Sequence, residues 1–376
     1  MKVAILCNGK SSNKFDRIEL VKSLSKRNHT VFVGVVNDRK INSCYDDPDI
    51  NLLFIDASRN NINPLKELKS LTNISKELRK ECIDSVIIYG IKNHISMVLG
   101  AKLAGVKNIM CVVNGRGNLF VLQGLKWDIV RLMSYPMLKL AYSLSDTICF
   151  QNKDDLKFFV EKGLIRDNNK TFLTNGSGVN LEKFPQIKLV KDNIFLFLSR
   201  ITATKGIIEY IEAARIVKNK YPDAIFNVVG PIDTTVEKSN LNLKFKNAER
   251  DNVIIYHGET NSVHSWLAKS RFFIYPSYYP EGVPRSCLEA LATGIPIITF
   301  DSPGCKETVI DGINGFIVEK KDIKTLADRM IWMIEHPSDV DNMAIESRKL
   351  AQNKFDVYKI NDQLISNINS CEVYND

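Results

Sequence analysis

Two glutamates, Glu281 and Glu289, stand eight positions apart in the stretch Tyr275-Pro-Ser-Tyr-Tyr-Pro-Glu281-Gly-Val-Pro-Arg-Ser-Cys-Leu-Glu289-Ala-Leu-Ala-Thr-Gly-Ile-Pro296. The apolar run 272–275 reads as a short buried strand, and Pro284 suits the first turn of a helix, where its missing N–H costs nothing. The order is strand, loop, helix. Glu281 then lies in the loop and Glu289 more than a turn inside the helix, at different depths along one wall of a cleft. The backbone N–H groups around Gly282, Val283 and Arg285 are helix-start donors suited to an anion. Acceptors that grip hydroxyls beside donors that grip phosphate are what a nucleotide sugar needs. An acid near a helix start also has the plainer use of complementing the macrodipole.

A second cluster of candidates is Ser199-Arg200-Ile-Thr-Ala-Thr-Lys205-Gly206, after the apolar run 194–198 and before a helical pattern reaching Lys218. Two cations and free N–H groups between a strand end and a helix start can hold a diphosphate without a metal ion. Gly230 stands at the end of the strand 224–229, and His257-Gly258 follows the strand 253–256. Ser302 to Glu307 follows the strand 296–300; Glu307 either caps its helix or contacts ligand.

These strings resemble the retaining glycosyltransferases of family 4. Glu-Gly-apolar-Pro with Glu-Ala-Leu-Ala-x-Gly-x-Pro looks like that family's Glu-x7-Glu signature, and Ser-Arg-x4-Lys-Gly like its phosphate-gripping motif. The resemblance spans nearly the whole chain and is strong from Ser199 onward. It implies the α/β GT-B fold, two facing Rossmann-like doubly wound domains with a cleft between them, the donor held mainly by the second and the acceptor by the first. Arg200 and Lys205 would stabilise the departing nucleotide diphosphate electrostatically. Glu281 would hold sugar hydroxyls and Glu289 the ribose, with Gly9, Gly230, Gly282 and Val283 also against the donor. No cofactor or metal is expected beyond the nucleotide-sugar co-substrate, with UDP-sugars favoured. The reaction expected is transfer of a hexose or N-acetylhexosamine to a polyprenyl-diphosphate-linked or other oligosaccharide acceptor in surface polysaccharide synthesis. The alternatives are a GDP-sugar-dependent transferase, such as a mannosyltransferase, and a sugar-nucleotide epimerase of the same fold.

The elements that must position these groups follow from periodicity. Up to residue 162, short apolar runs alternate with amphipathic helical patterns, which predicts a parallel sheet covered on both faces. Ligands of such sheets collect beyond the carboxyl ends of the strands. Three loops there carry acceptor candidates. Asn8-Gly9-Lys-Ser-Ser keeps one glycine of a loop that is glycine-rich in the family, and a simple turn accounts for it equally well; Arg17 follows it. Ser58 to Pro64 is either a polar cap or an acceptor loop. Val113-Asn114-Gly-Arg116-Gly117 carries asparagine where many relatives have histidine, so no proton exchange is assigned to Asn114. Arg116 is either a phosphate ligand or a surface arginine in a glycine turn.

At 376 residues the chain is long enough for two domains. Boundaries are expected at 1–185, 186–355 and 356–376, with 186–193 as linker and the last helix returning to the first domain. The net charge of +8 comes without an aromatic-interleaved basic patch, which argues against nucleic acid and leaves an anionic membrane surface as a peripheral partner. The apolar segment 125–144, with Lys126, Arg131 and Lys139, is either a core helix or a basic amphipathic helix lying on a membrane. The start of the chain is neither a secretion signal nor a span, and a cytoplasmic protein is expected, peripheral at most on the inner membrane face. Eight scattered cysteines without C-x-x-C fit small buried residues in a reducing compartment. The Asp-x-Asp spellings at Asp47/Asp49 and Asp339/Asp341 read as incidental. No G-x-G-x-x-G is present to hold a dinucleotide.

Overall fold

Strands rich in Val, Ile and Phe that are buried on both faces can be neighbours only in a parallel sheet with helices on each side, and the chain builds two such sheets. The computed structural model describes residues 1–7, 17–36, 47–55, 64–166, 170–233 and 240–369, the side chains of 64–68 and 369 excepted. It divides into two compact units, Met1–Gly176 with Val357–Asp376, and Ser177–Asp356.

In the first unit the strands β1 (Lys2–Leu6), β2 (Thr30–Val36), β3 (Asn51–Ile55), β4 (Ser85–Tyr89), β5 (Asn108–Val113), β6 (Thr147–Phe150) and β7 (Thr171–Leu173) lie in the order β3-β2-β1-β4-β5-β6-β7. Every pairing is parallel, with Ile5 beside Val33 on one side and Ile87 on the other. Successive side chains point to opposite faces. Ala4, Leu6, Val86 and Ile88 therefore pack on the side of α2 (Pro64–Lys80), α3 (Ile91–Ala104) and α5 (Leu125–Leu144). Val3, Ile5 and Ile87 pack on the side of α1 (Ile18–Ser25). The short α4 (Gly117–Val121) and α6 (Lys153–Glu161) complete this part of the chain.

The second unit repeats the plan with β8 (Ile194–Leu198), β9 (Ile225–Val229), β10 (Ile255–Tyr256), β11 (Phe272–Tyr275), β12 (Ile297–Phe300) and β13 (Gly315–Val318), ordered β10-β9-β8-β11-β12-β13 and all parallel. Phe195, Phe197, Phe226 and Phe272 meet α7 (Ile207–Lys220) and α11 (Ile323–Glu335) on one face. Leu196, Phe273 and Tyr275 meet α10 (Arg285–Thr293) on the other. Between these elements lie α8 (Asn240–Arg250) and α9 (Val263–Ala268).

α12 (Pro337–Lys354) leads into α13 (Val357–Asn369), which belongs to the first unit. There Leu364, Ile365 and Ile368 cover the sheet face that α1 alone leaves open, and Asn361 Nδ2 donates to Ser23 Oγ at 3.2 Å. The family resemblance implies a break at residue 185 and the polar stretch after it a linker to 193; the edge of the unit lies at 176–177 instead. Leu181, Phe184, Ile187 and Leu189 explain the difference, because they pack on the core of the second unit and Ile187 N–H donates to the Thr293 carbonyl. Of the cysteines within the described residues, Cys111, Cys149, Cys287 and Cys305 are buried, Cys7 is half-buried and Cys82 is exposed. Burial pushes the four buried thiols up in pKa, so none is a ready nucleophile. Asp47 and Asp49 lie just before β3, and Asp339 and Asp341 lie within α12.

Candidate active site

In the second sheet, β8 has β9 on one side and β11 on the other, so the strand order reverses between β8 and β11. The segments that leave the carboxyl ends of these two strands diverge at that point, which opens a crevice in sheets of this kind. Residues 199–206 leave β8 and residues 276–284 leave β11. The Thr204 carbonyl joins them, accepting from the N–H groups of Tyr278 (3.0 Å) and Tyr279 (3.2 Å), with Ser277 Oγ 3.3 Å away. Gly206 is held at φ 80°, and a Cβ there would come within 1.9 Å of the Pro276 carbonyl oxygen. The close approach of the two segments therefore requires glycine.

Lys205 and Glu281, far apart in sequence, meet where these segments touch. Lys205 Nζ donates to Glu281 Oε1 at 2.5 Å and to the Tyr275 hydroxyl at 2.7 Å. The Tyr275 hydroxyl donates in turn to Glu281 Oε1 at 2.7 Å, and Ser277 Oγ donates to the same oxygen at 3.1 Å. The two charged side chains are 11% and 16% exposed, so the pair is largely withdrawn from water yet open to a ligand. Burial, followed by the charge of Glu281, raises the Tyr275 pKa well above its ordinary value, so this hydroxyl stays protonated. An ammonium has three N–H donors. Two of those on Lys205 are spent here, and among the described residues no partner takes the third.

Arg200, the other cation of the motif, is exposed and stands 3.5 Å from Asp233 Oδ2. Gly230, at φ 140°, lets the end of β9 press on the start of the Arg200 segment; a Cβ would lie 1.9 Å from the Ser199 carbonyl oxygen. The His257 ring lies tilted against Trp266 with centres 4.2 Å apart, and its Nε2 bonds Asn227 Oδ1 at 2.8 Å. Burial, then the charge of Lys269, lowers its pKa and favours the neutral ring. Gly282 and Val283 are buried, and the Val283 side chain belongs to the apolar core with Tyr275 and Cys287. Their backbone is therefore what can meet a ligand. Pro284 precedes α10 as its cap residue, Arg285 opens the helix and half-buried Glu289 follows one turn later. Glu307 holds Lys354 Nζ at 2.8 Å, a tie within the unit.

The candidates in the first unit are less united. Gly9 and Ser58 lie outside the described residues. Arg17, just before α1, sets its guanidinium 4.3 Å from the ring centre of Tyr89, which ends β4. Since β1 lies between β2 and β4, this is the corresponding reversal of the first sheet. Asn114 is exposed after β5. For Arg116, its Nε donates to buried Asp155 Oδ1 at 2.8 Å, Nη2 donates to the Asp154 carbonyl, and the guanidinium lies over Phe158 at 4.2 Å. This ion pair gives Arg116 a structural task within the first unit.

Sequence reasoning passed over Tyr275, Ser277 and Thr204. The signal was present for the first two: a tyrosine closing an otherwise apolar strand and a serine two residues on place hydroxyls at the strand's carboxyl end.

Two all-parallel doubly wound sheets, one carrying a lysine–glutamate pair at its strand reversal, make up the GT-B fold. Residues 180–350 match the family described as glycosyl transferases group 1, and this match together with the curated relatives makes the chain a glycosyltransferase. It is 27% identical over 349 residues to the N,N'-diacetylbacillosaminyl-diphospho-undecaprenol alpha-1,3-N-acetylgalactosaminyltransferase of Campylobacter jejuni, covering 89% of this chain and 90% of that one. It is 28% identical over 341 residues to the UDP-Gal:alpha-D-GlcNAc-diphosphoundecaprenol alpha-1,3-galactosyltransferase of Escherichia coli, covering 85% and 84%. Among solved structures, Anabaena HepE in complex with UDP and glucose superimposes with a TM-score of 0.78 at 16% identity, over 98% of this chain and 100% of that one. Sucrose-phosphate synthase of Thermosynechococcus elongatus gives 0.80 at 16% identity, over 99% of each chain.

Proposed function

We propose that this glycosyltransferase moves a hexose or N-acetylhexosamine from a UDP-sugar to a glycan carried on a polyprenyl diphosphate, in surface polysaccharide synthesis at the inner face of the membrane. The observation that carries the donor half is the Lys205–Glu281 pair at the strand reversal of the second sheet. The acceptor half rests on the two relatives at 27% and 28% identity, both of which act on undecaprenyl-diphosphate-linked sugars.

In this reading the bond between the anomeric carbon and the β-phosphate oxygen breaks, and the electron pair leaves with the nucleoside diphosphate. The third N–H of Lys205, Arg200, and the first N–H groups of α7 and α10 receive that charge. The acceptor hydroxyl attacks the same face of the anomeric carbon and passes its proton to the departing phosphate oxygen, so configuration is retained. Glu281 holds the Lys205 ammonium in place and orients sugar hydroxyls, with Glu289 toward the ribose. Gly230, Gly282 and Val283 contribute backbone, and Gly9 belongs to the same donor reading. Arg17 is the acceptor-side candidate that a described contact supports, at the corresponding reversal of the first sheet. Ser58 and Asn114 remain acceptor candidates, and the chemistry asks for no metal ion.

The test is product analysis with a panel of UDP- and GDP-sugars, with and without a polyprenyl-diphosphate-linked saccharide. Transfer from one UDP-sugar that requires the lipid-linked saccharide is expected. Preference for a GDP-sugar would replace the donor assignment. Acceptor-independent conversion of one nucleotide sugar into another would replace the reaction class by epimerisation.

A further inference from the structure

We propose that the outward face of α5 is a docking surface for an anionic phospholipid bilayer. Leu138, Ala141 and Tyr142 are the buried residues of this helix, and they fix the side it turns to the sheet. The opposite side carries Leu125 (77% exposed), Ile129, Leu132 (76% exposed), Met133, Met137 and Leu140, all exposed. Steps of one, three and four residues put these six side chains on a single stripe. A contiguous apolar stripe of this length facing water marks a surface that something covers.

The charges beside it select the occupant. Lys126 projects from the same exposed side, and Lys139 borders the stripe. Next to Leu140, Lys139, Arg166 and Lys170 line a cavity of about 400 Å³, with no carboxylate among its described lining residues. Lys170 Nζ also donates to the carbonyls of Ser143 and Ser145, which anchors this basic wall to the end of α5. Arg131 has another task, since it binds Asp128 and the carbonyls of Leu119 and Leu122. An apolar stripe with lysines at its margins suits acyl chains below and phosphate headgroups beside it. A second copy of the same face would bring like charges together. No helix among the described residues is long and apolar enough to cross a membrane, so α5 lies on the surface. The inference deepens the lipid-linked acceptor reading by naming the surface that brings the enzyme to such an acceptor, but vesicle binding requires no sugar transfer and is tested independently.

The full chain is sedimented with vesicles of phosphatidylcholine alone and with vesicles one-third phosphatidylglycerol. Binding to the anionic vesicles is expected. Leu132→Gln with Met133→Gln should lower partitioning by about tenfold or more, and Lys126→Glu with Lys139→Glu should remove the preference for anionic lipid. Both pairs should leave transfer to a water-soluble acceptor intact, which also reports a correct fold. Leu132→Trp provides a second measurement, a blue shift of its fluorescence on adding anionic vesicles. Failure to bind vesicles, equal binding to neutral and anionic vesicles, or a dimer broken by the glutamine substitutions without any vesicle binding would each overturn the proposal. Vesicle binding without transfer to a polyprenyl-linked acceptor would leave it standing while removing the acceptor assignment.

Discussion

Tyr275→Phe removes a single oxygen from the centre of the site. That oxygen lies 2.7 Å from both Lys205 Nζ and Glu281 Oε1. The ring itself is 2% exposed and stacks on Phe273 at 6.1 Å, so phenylalanine retains the packing. A hydrogen bond to a charged group contributes about 1.5–3 kcal/mol. Glu281 Oε1 keeps Lys205 at 2.5 Å and Ser277 at 3.1 Å, which puts the loss at the lower end, about 1.5 kcal/mol, or roughly tenfold in rate. If the hydroxyl positions the pair for charge that develops only as the diphosphate leaves, the loss belongs to kcat. Steady-state release of nucleoside diphosphate at saturating acceptor should therefore show kcat down about tenfold with the donor KM within about twofold. An unchanged kcat, or a rise in KM alone, would refute the positioning role. Ser277→Ala removes the longer bond and should cost less than Tyr275→Phe.

Lys205→Met removes the cation itself, and kcat should fall by about 10²–10³. Adding Glu281→Gln to that variant should cost little more, because the two groups act as one unit; additive losses would show that they work separately. Arg116→Ala leaves the Asp155 carboxylate buried without its cation and should cost about 3 kcal/mol of stability in chemical denaturation. Unchanged stability with a raised acceptor KM would instead restore the phosphate reading of Arg116. His94 is fully buried, with Nδ1 3.1 Å from the Tyr142 hydroxyl and Nε2 3.3 Å from the Ile88 carbonyl. Burial lowers its pKa from 6.5 to about 4, so the unfolded chain takes up a proton that the folded chain refuses. Its contribution is present above pH 6.5 and is lost as pH falls toward 4, by about 3 kcal/mol. Asp155 works in the opposite sense. Burial pushes its pKa up to about 6, so its contribution is present at low pH and lost as pH rises through 6. The difference between wild type and His94→Gln across pH 7 to 4 isolates the histidine, and a flat difference would refute the assignment.

Much of the plan was legible because parallel strands buried on both faces must be written as short apolar runs. The loops after such strands are where ligands collect, so Lys205, Glu281 and Glu289 stood out within their strings. Other features depended on long-range partners. Arg116 sits in a glycine turn that local reading associates with solvent or phosphate, and its partner Asp155, 39 residues away, leaves no trace in that turn. The helix Asn240–Arg250 was overlooked, although Phe245 and Ala248, its buried residues, stand at helical spacing. The supposed linker carries Ile187 and Leu189, whose burial depends on a surface built by later residues.

By itself the sequence determined the alternation of strand and helix, the resemblance to a glycosyltransferase family, and the side-chain types at the strand ends, because these follow from local periodicity and contiguous strings. Only the tertiary structure decided that Lys205 and Glu281, 76 residues apart, share one oxygen with Tyr275 and Ser277. It also decided that α5 turns six large apolar side chains to the outside. The physical reason is the same in both cases. Which strands become neighbours, and which helix face finds a sheet to cover, are set by the packing of the whole unit, and periodicity along the chain carries no record of it.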